Sequence, residues 1–326
     1  MDVILPFNKL DEYLIPAIKS VFTSAGVQVR LLLVDDRLDS SESIPDLPGQ
    51  NILILRTVER GYGNAISIGL KEVTADYCAL MNADDLVHPN RLSRQIEDLV
   101  ETNSELSVGR VIKFNNSGNV VSQKLGSLKH RNYSCEALLL GAYGADATWC
   151  GKTSVLKTWD FSRKPATDWI TALNYFEGTR MTYSNSALYF YRQHSNQVTK
   201  SKSYSRNSFK DVYPSWVALC KRSSMPILDE NSAILVAAPW AVVTKPSEEE
   251  VTNAANWLNT FETFTLHRYS NLVNRRRLFL LRNTKSSNSI NPTTYFSALK
   301  GLASYFIDII LNIFSTIRFK KFLTLK

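Results

Sequence analysis

A chain of 326 residues with 44% apolar and 21% charged residues can bury a large core and is too apolar to be disordered. Its net charge of +8 is uneven: residues 1–200 carry 21 Lys and Arg against 22 Asp and Glu, and residues 201–326 carry 17 against 8. The basic residues of that last third adjoin aliphatic runs rather than spaced aromatic stacking positions, which argues against nucleic acid as a partner.

Taken in chain order, the opening "MDVILPFN" lacks a basic leader, and its apolar run is too short for a signal peptide. Near-continuous apolar runs at 3–7, 30–36, 51–57 and 76–85 predict strands covered on both faces. Helices are expected between them, near 12–25 with Leu14, Ile18, Val21 and Phe22 on one face, and in "GYGNAISIGLKEV" at 61–73. A third helix is expected from Pro89, since proline suits a first helical turn. This alternation predicts a mainly parallel sheet flanked by helices. From 107, "SVGRVIKF", "NNSG" and "NVVSQK" read as a β-hairpin, and the Ser- and Lys-rich stretch after 200 reads as a boundary to a mostly helical remainder. Cys78, Cys135, Cys150 and Cys220 form no C-x-x-C pair and no zinc spacing with histidine, as expected for reduced thiols in a cytoplasmic protein.

Two pairs of adjacent carboxylates stand out, Asp35–Asp36 after the second expected strand and Asp84–Asp85 after the fourth. Strand C-termini in an open α/β sheet are where such folds bind ligands. Like charges side by side raise one another's pKa, and a divalent cation would relieve that. Helix capping is the plainer role for aspartates in these places. A receiver-type phosphoacceptor site fits less well, because its acidic pair should follow the first strand and the first Lys-Pro here is Lys164–Pro165.

Read together, "VILPFNKLDEYLIPAIKSV", "LLLVDDR", "GYGNAISIGL" and "DYCALMNADDLVHPNRL" resemble, in order and spacing, the nucleotide-binding half of family 2 glycosyltransferases with the GT-A fold. "ATDWITALNYFEG" and "ALYFYRQHSNQVT" resemble the later acidic and Tyr-Arg-x-His segments of that family, so the resemblance spans about residues 2–199. Departures from the pattern are Asn82 for the first acid of Asp-x-Asp-Asp, Thr167 for the Glu before Asp168, Arg37–Leu38 after the first acidic pair, and Ile66–Ser67 in the following helix.

The resemblance implies a GT-A, Rossmann-like domain over 1–200, with a nucleotide-sugar half at 1–105 and an acceptor half at 106–200, followed by a helical basic region at 201–326. It implies an inverting hexosyl- or N-acetylhexosaminyl-transferase of surface polysaccharide or glycolipid assembly, using a nucleotide-diphospho-sugar, with UDP favoured, and a saccharide or lipid-linked saccharide acceptor. A non-catalytic GT-A-like scaffold is the alternative. Pro6, Asn8, Asp35 and Asp36 would line the base and ribose pocket, with Asn82, Asp84 and Arg192 completing the nucleotide-sugar site. Asp84, Asp85 and His194 would hold Mn²⁺ or Mg²⁺, and Asp168 would be the general base. In the basic region, Arg275–Arg277 adjoin an apolar run. Residues 291–323 read as an apolar helix with a narrow polar stripe, too interrupted by charge to span a bilayer, whose Arg318, Lys320, Lys321 and Lys326 suit anionic headgroups on the inner face of the cell membrane.

Overall fold

The computed structural model describes residues 1–37, 42–49, 51–123, 135–141, 144–161, 166–195, 197, 202–242, 244–265 and 270–283; the expected helix over 291–323 lies outside them. The chain divides into two compact units, one of residues 1–133, 144–171 and 175–194, the other of 134–143, 172–174 and 195–326. The second unit therefore borrows two short segments from before residue 200.

In the first unit, β1 (Asp2–Phe7), β2 (Arg30–Asp35), β3 (Ile52–Arg56) and β4 (Tyr77–Leu80) pair in parallel in the order β3-β2-β1-β4. All six residues of β1 are buried, so its unbroken apolar run reflects a strand with both faces covered. Two helices cover it. α1 (Leu14–Phe22) buries Leu14, Ala17, Ile18 and Val21, and α2 (Tyr62–Glu72) buries Ala65, Ile66 and Leu70. Glycine lets α2 approach closely: a Cβ on Gly69 would lie 2.7 Å from Ile4, and one on Gly63 would lie 1.5 Å from the Phe161 carbonyl oxygen.

The remaining strands are β5 (Leu86–Val87), β6 (Leu106–Asn115), β7 (Val120–Gln123), β8 (Trp149–Lys152) and β9 (Met181–Gln193). They extend the sheet to β3-β2-β1-β4-β8-β6-β9-β5, with β7 paired to β6 in the expected hairpin. β8 is antiparallel to β4 and β6, and β6 is parallel to β9, which makes the sheet mixed. The expected fourth strand stops at Leu80 rather than running through the acids. The third helix, α3 (Arg91–Glu101), starts after its N-cap Asn90, so Pro89 lies just outside. α4 (Thr153–Leu156) follows β8, and α5 (Thr167–Tyr175) precedes β9.

The second unit contains α6 (Lys202–Arg222), α7 (Glu230–Ala237), α8 (Glu248–Phe264) and α9 (Ser270–Asn283). Its core packs Trp216 at a tilt against Trp257, ring centroids 5.7 Å apart, with Phe261 stacked on Trp257 at 5.2 Å. The arginines of the basic run belong to this interior: Arg276 donates to the carbonyls of Val236 and Leu140, and Arg277 pairs with Glu262 at 2.8 Å. Burial lowers Arg276 to a pKa of about 10. No helix among the described residues is long and apolar enough to cross a membrane.

Candidate active site

β1 has β2 on one side and β4 on the other, so the C-terminal ends of these three strands form the crevice of the parallel half. The backbone passes from β4 into a tight turn carrying Asn82, Asp84 and Asp85. Met81 N still donates to Ile4 O at 3.0 Å, and β5 then pairs antiparallel with β9. That pairing carries Tyr189, Arg192 and His194, more than a hundred residues later in sequence, to the acidic turn.

The two aspartates of this turn have different surroundings. Asp85 is fully buried, and its carboxylate accepts from Tyr189 Oη at 2.6 Å, Arg192 N at 2.7 Å and Asn82 Nδ2 at 3.2 Å. Burial and the neighbouring charge of Asp84 push its pKa well above the usual carboxylate range, against the pull of those three donors. Asp84 is 31% exposed, and its Oδ2 lies 3.0 Å from His194 Nε2. The other ring nitrogen of His194, Nδ1, is buried without a hydrogen-bond partner. Arg192 braces the turn: its Nε donates to Asp84 O at 2.8 Å, and its guanidinium lies 4.8 Å from the Tyr13 ring centroid and 4.7 Å from that of Phe114. Tyr13 also meets the His194 ring at 4.9 Å.

The pair after β2 is engaged by the protein itself. Asp35 is fully buried and gripped by Arg37, with Nε 2.8 Å from Oδ1 and Nη2 2.9 Å from Oδ2, while the guanidinium rests 5.4 Å from the Phe7 ring centroid. Burial alone would raise the Asp35 pKa, but the Arg37 fork outweighs it and holds the group low. Asp36 accepts from Thr57 Oγ1 at 2.9 Å and from Gly61 N at 2.9 and 3.1 Å, which fixes the turn leading into α2. Pro6 is buried at the end of β1, and Asn8 beyond it is exposed.

Asp168 occupies the first turn of α5 and accepts from Trp169 N at 2.8 Å. Its charge acts on Tyr62 and on Asp146, a residue of the 3-10 turn before β8 that the sequence alone did not single out. The Tyr62 hydroxyl donates to Asn82 Oδ1 at 3.0 Å and lies beside the Asp146 carboxyl. Asn82 thus links two groups, donating to Asp85 and accepting from Tyr62. Asp146 is buried, its Oδ2 has no hydrogen-bond partner, and burial with the charge of Asp168 raises its pKa to about 8.

Beneath both acidic segments runs Arg91 of α3, fully buried, donating from Nη2 to Leu80 O at 3.1 Å and to Ala147 O at 2.8 Å. Its Nε donates to Gln95 Oε1 at 2.9 Å, and Gln95 Nε2 in turn donates to Thr148 O at 2.8 Å. One side-chain pair on α3 therefore holds the turn after β4 and the turn before β8 together.

A parallel nucleotide-type half-sheet with acids at its strand ends, joined to an antiparallel half that returns a His-bearing strand to those acids, defines a GT-A domain. Solved structures agree on the fold: S. aureus TarS 1-349 in complex with UDP-GlcNAc superposes with a TM-score of 0.54 at 16% identity over 86% of this chain and 88% of that one. The family model for glycosyl transferase family 2 matches residues 2–158, and that segment belongs to the family. Among relatives, the succinoglycan biosynthesis protein ExoO of Rhizobium meliloti is 31% identical over 111 residues, 32% of this chain and 31% of its own length. An uncharacterised glycosyltransferase of Rickettsia typhi is 27% identical over 100 residues, 30% of this chain and 31% of its own length. The chain thus spans about a third of the length of these relatives. Glycosyltransferase GlyG of Streptococcus pneumoniae is 18% identical over 225 residues, 62% of this chain and 73% of its own length.

Proposed function

We propose that the protein is an inverting, metal-dependent glycosyltransferase that moves a sugar from a nucleotide-diphospho-sugar to an acceptor hydroxyl in the assembly of a surface polysaccharide or glycolipid. The observation that carries this reading is the Asp84–His194 pair at the crevice, with Oδ2 and Nε2 3.0 Å apart. Two ligands of an octahedral ion, each about 2.1 Å from it and at right angles, stand about 3 Å apart. A carboxylate oxygen with an imidazole nitrogen suits Mn²⁺, and two protein ligands leave positions for diphosphate oxygens and water. Asp85, its oxygens already engaged by three protein donors, is the structural partner and Asp84 the ligand. When bound, the ion supplies Lewis-acid stabilisation of the departing diphosphate.

The protein's own residues do the rest. Asp168 accepts the proton of the acceptor hydroxyl, and attack from the side opposite the leaving diphosphate gives inversion. Arg192 fixes the turn that presents Asp84 rather than serving as a free anion clamp, since its Nε is committed to Asp84 O. UDP is the favoured nucleotide, in keeping with the UDP-GlcNAc complex of TarS. In this reading 1–200 is the transferase domain and the segment 291–326 docks on anionic membrane at the cytoplasmic face. Calorimetry with UDP, GDP, CDP and dTDP, with and without Mn²⁺, tests it on wild type, Asp84→Ala and His194→Ala. One nucleotide should bind in a Mn²⁺-dependent manner lost in both variants. No binding of any nucleotide would leave a non-catalytic GT-A module.

A further inference from the structure

Resting on the assignment of Asp168 as base, we propose that Asp146 is a positioning residue of the acceptor side, carrying a proton at neutral pH so that Asp168 keeps its charge and the Tyr62 hydroxyl stays turned onto Asn82. The argument begins with donors and acceptors. Tyr62 Oη donates its one proton to Asn82 Oδ1 at 3.0 Å, so toward the adjacent Asp146 it has only lone pairs to offer. An ionised Asp146 would face those lone pairs with its own, and its Oδ2 would be a buried, bare anionic oxygen. A protonated Asp146 instead donates to Tyr62, and a directional chain forms: Asp146 to Tyr62, Tyr62 to Asn82, Asn82 to Asp85 at 3.2 Å, with Tyr189 closing on Asp85 at 2.6 Å.

The groups facing Asp146 come from each neighbouring element. Asp168 on α5 adds negative charge, Tyr62 on α2 is neutral, and the cationic Arg91 on α3 spends its Nη2 on the carbonyl of Ala147 rather than on the carboxyl. The acidic neighbour and the burial favour the protonated form, in line with a pKa of about 8. The close seat of α2 is fixed by Gly63, where a Cβ would lie 2.9 Å from Thr167 Cγ2, one residue before Asp168. Loss of the proton would turn the Tyr62 hydroxyl from Asn82 to Asp146, cut the chain to the metal-side turn, and set a second negative charge against Asp168. The acceptor-side base and the donor-side turn are thereby coupled through one buried proton.

The test uses the full chain labelled with ¹³C at the aspartate carboxyl carbon. One resonance should titrate near pH 8 and be missing from Asp146→Asn. An aspartate spectrum with no titration above about pH 6 would overturn the proposal. These readouts need no substrate, so they stand or fall apart from the transferase reading. With transfer in hand, wild-type kcat should fall as the pH rises through about 8, and Asp146→Asn should lose that alkaline limb at a cost of roughly tenfold, against about 10²–10⁴-fold for Asp168→Asn. Loss in Asp146→Asn equal to that in Asp168→Asn at every pH would make Asp146 a reacting group itself and overturn the positioning role.

Discussion

Arg91→Met would test whether one buried guanidinium holds the two acidic turns. Methionine keeps an apolar stem in the fully buried site and removes every donor. Three acceptors lose a charged partner: Gln95 Oε1 at 2.9 Å, Leu80 O at 3.1 Å and Ala147 O at 2.8 Å. A buried acceptor left unpaired costs about 1–3 kcal/mol, and removing the guanidinium recovers part of its own desolvation, so a net loss of roughly 3–5 kcal/mol is expected. That is a large share of the ~5–15 kcal/mol that holds an ordinary domain together. Arg91→Lys should fall between, because a single ammonium keeps the charge and lacks the planar fork that reaches two carbonyls and Gln95 at once. Urea denaturation gives the magnitude, and hydrogen exchange gives the place: protection should drop first at 80–85 and 146–150. A loss below about 1 kcal/mol would refute the reasoning. So would protection lost evenly throughout the first unit.

Other substitutions probe the charges around the crevice. Asn82→Asp, which restores an acid at that position, replaces a donor 3.2 Å from Asp85 Oδ2 with a second carboxylate; it should lower stability in thermal melts, and Mn²⁺ with nucleotide should recover part of the loss. Unchanged melting without metal would contradict the link drawn through Asn82. Arg37→Ala leaves Asp35 in the interior with the backbone N–H of residue 37 at 3.1 Å and Arg56 3.7 Å away, so stability at neutral pH should drop by about 2–4 kcal/mol. The deficit should shrink as the pH falls and Asp35 in the variant takes up a proton; a pH-independent deficit would argue against an electrostatic origin. At the opposite end of the sheet Asp2 is buried, which alone would raise its pKa, but the Arg30 fork at 2.6 and 3.0 Å and the N–H groups of Thr74 and Ala75 hold it low. Its folded pKa lies below the unfolded value, so the stabilisation is complete above about pH 4 and is lost as the pH falls through the depressed value. Asp2→Asn should therefore cost stability at pH 7 and remove that part of the acid sensitivity, as read from melting temperatures between pH 2 and pH 7.

The parallel half of the sheet was legible because strands covered on both faces leave unbroken apolar runs, and β1 to β4 lie within a few residues of where those runs predict them. β5 and β8 were not legible. They are two and four residues long, and they are strands only because β9, β4 and β6 supply the other half of each ladder. Asp146 escaped notice for the same reason: it lies in a 3-10 turn with no periodicity, and what marks it is a missing partner in space. The arginines at 275–277 show the converse, since a basic run beside aliphatic residues resembles a surface in sequence, while Arg276 in the fold ties two carbonyls of the interior.

Two of the departures from the family pattern, Asn82 and Arg37, are explained by the contacts they make. A carboxylate at 82 would repel Asp85 and could not donate to it; an asparagine donates to Asp85 with one end and accepts from Tyr62 with the other. That acceptor is what commits the Tyr62 proton, and the committed proton is what favours a neutral Asp146. Arg37 works by the same logic after β2: once it forks onto Asp35, the buried acid is neutralised within the protein, and Asp36 is spent on Thr57 and Gly61. A base seated in this crevice would therefore meet the Arg37–Asp35 pair rather than a lone carboxylate. Asn82 and Arg37 each remove one uncompensated negative charge from the strand ends. With Asp85 and Asp36 buried and Asp35 paired to Arg37, Asp84, 31% exposed and 3.0 Å from His194 Nε2, is the acid of these two pairs on which the proposed metal site rests.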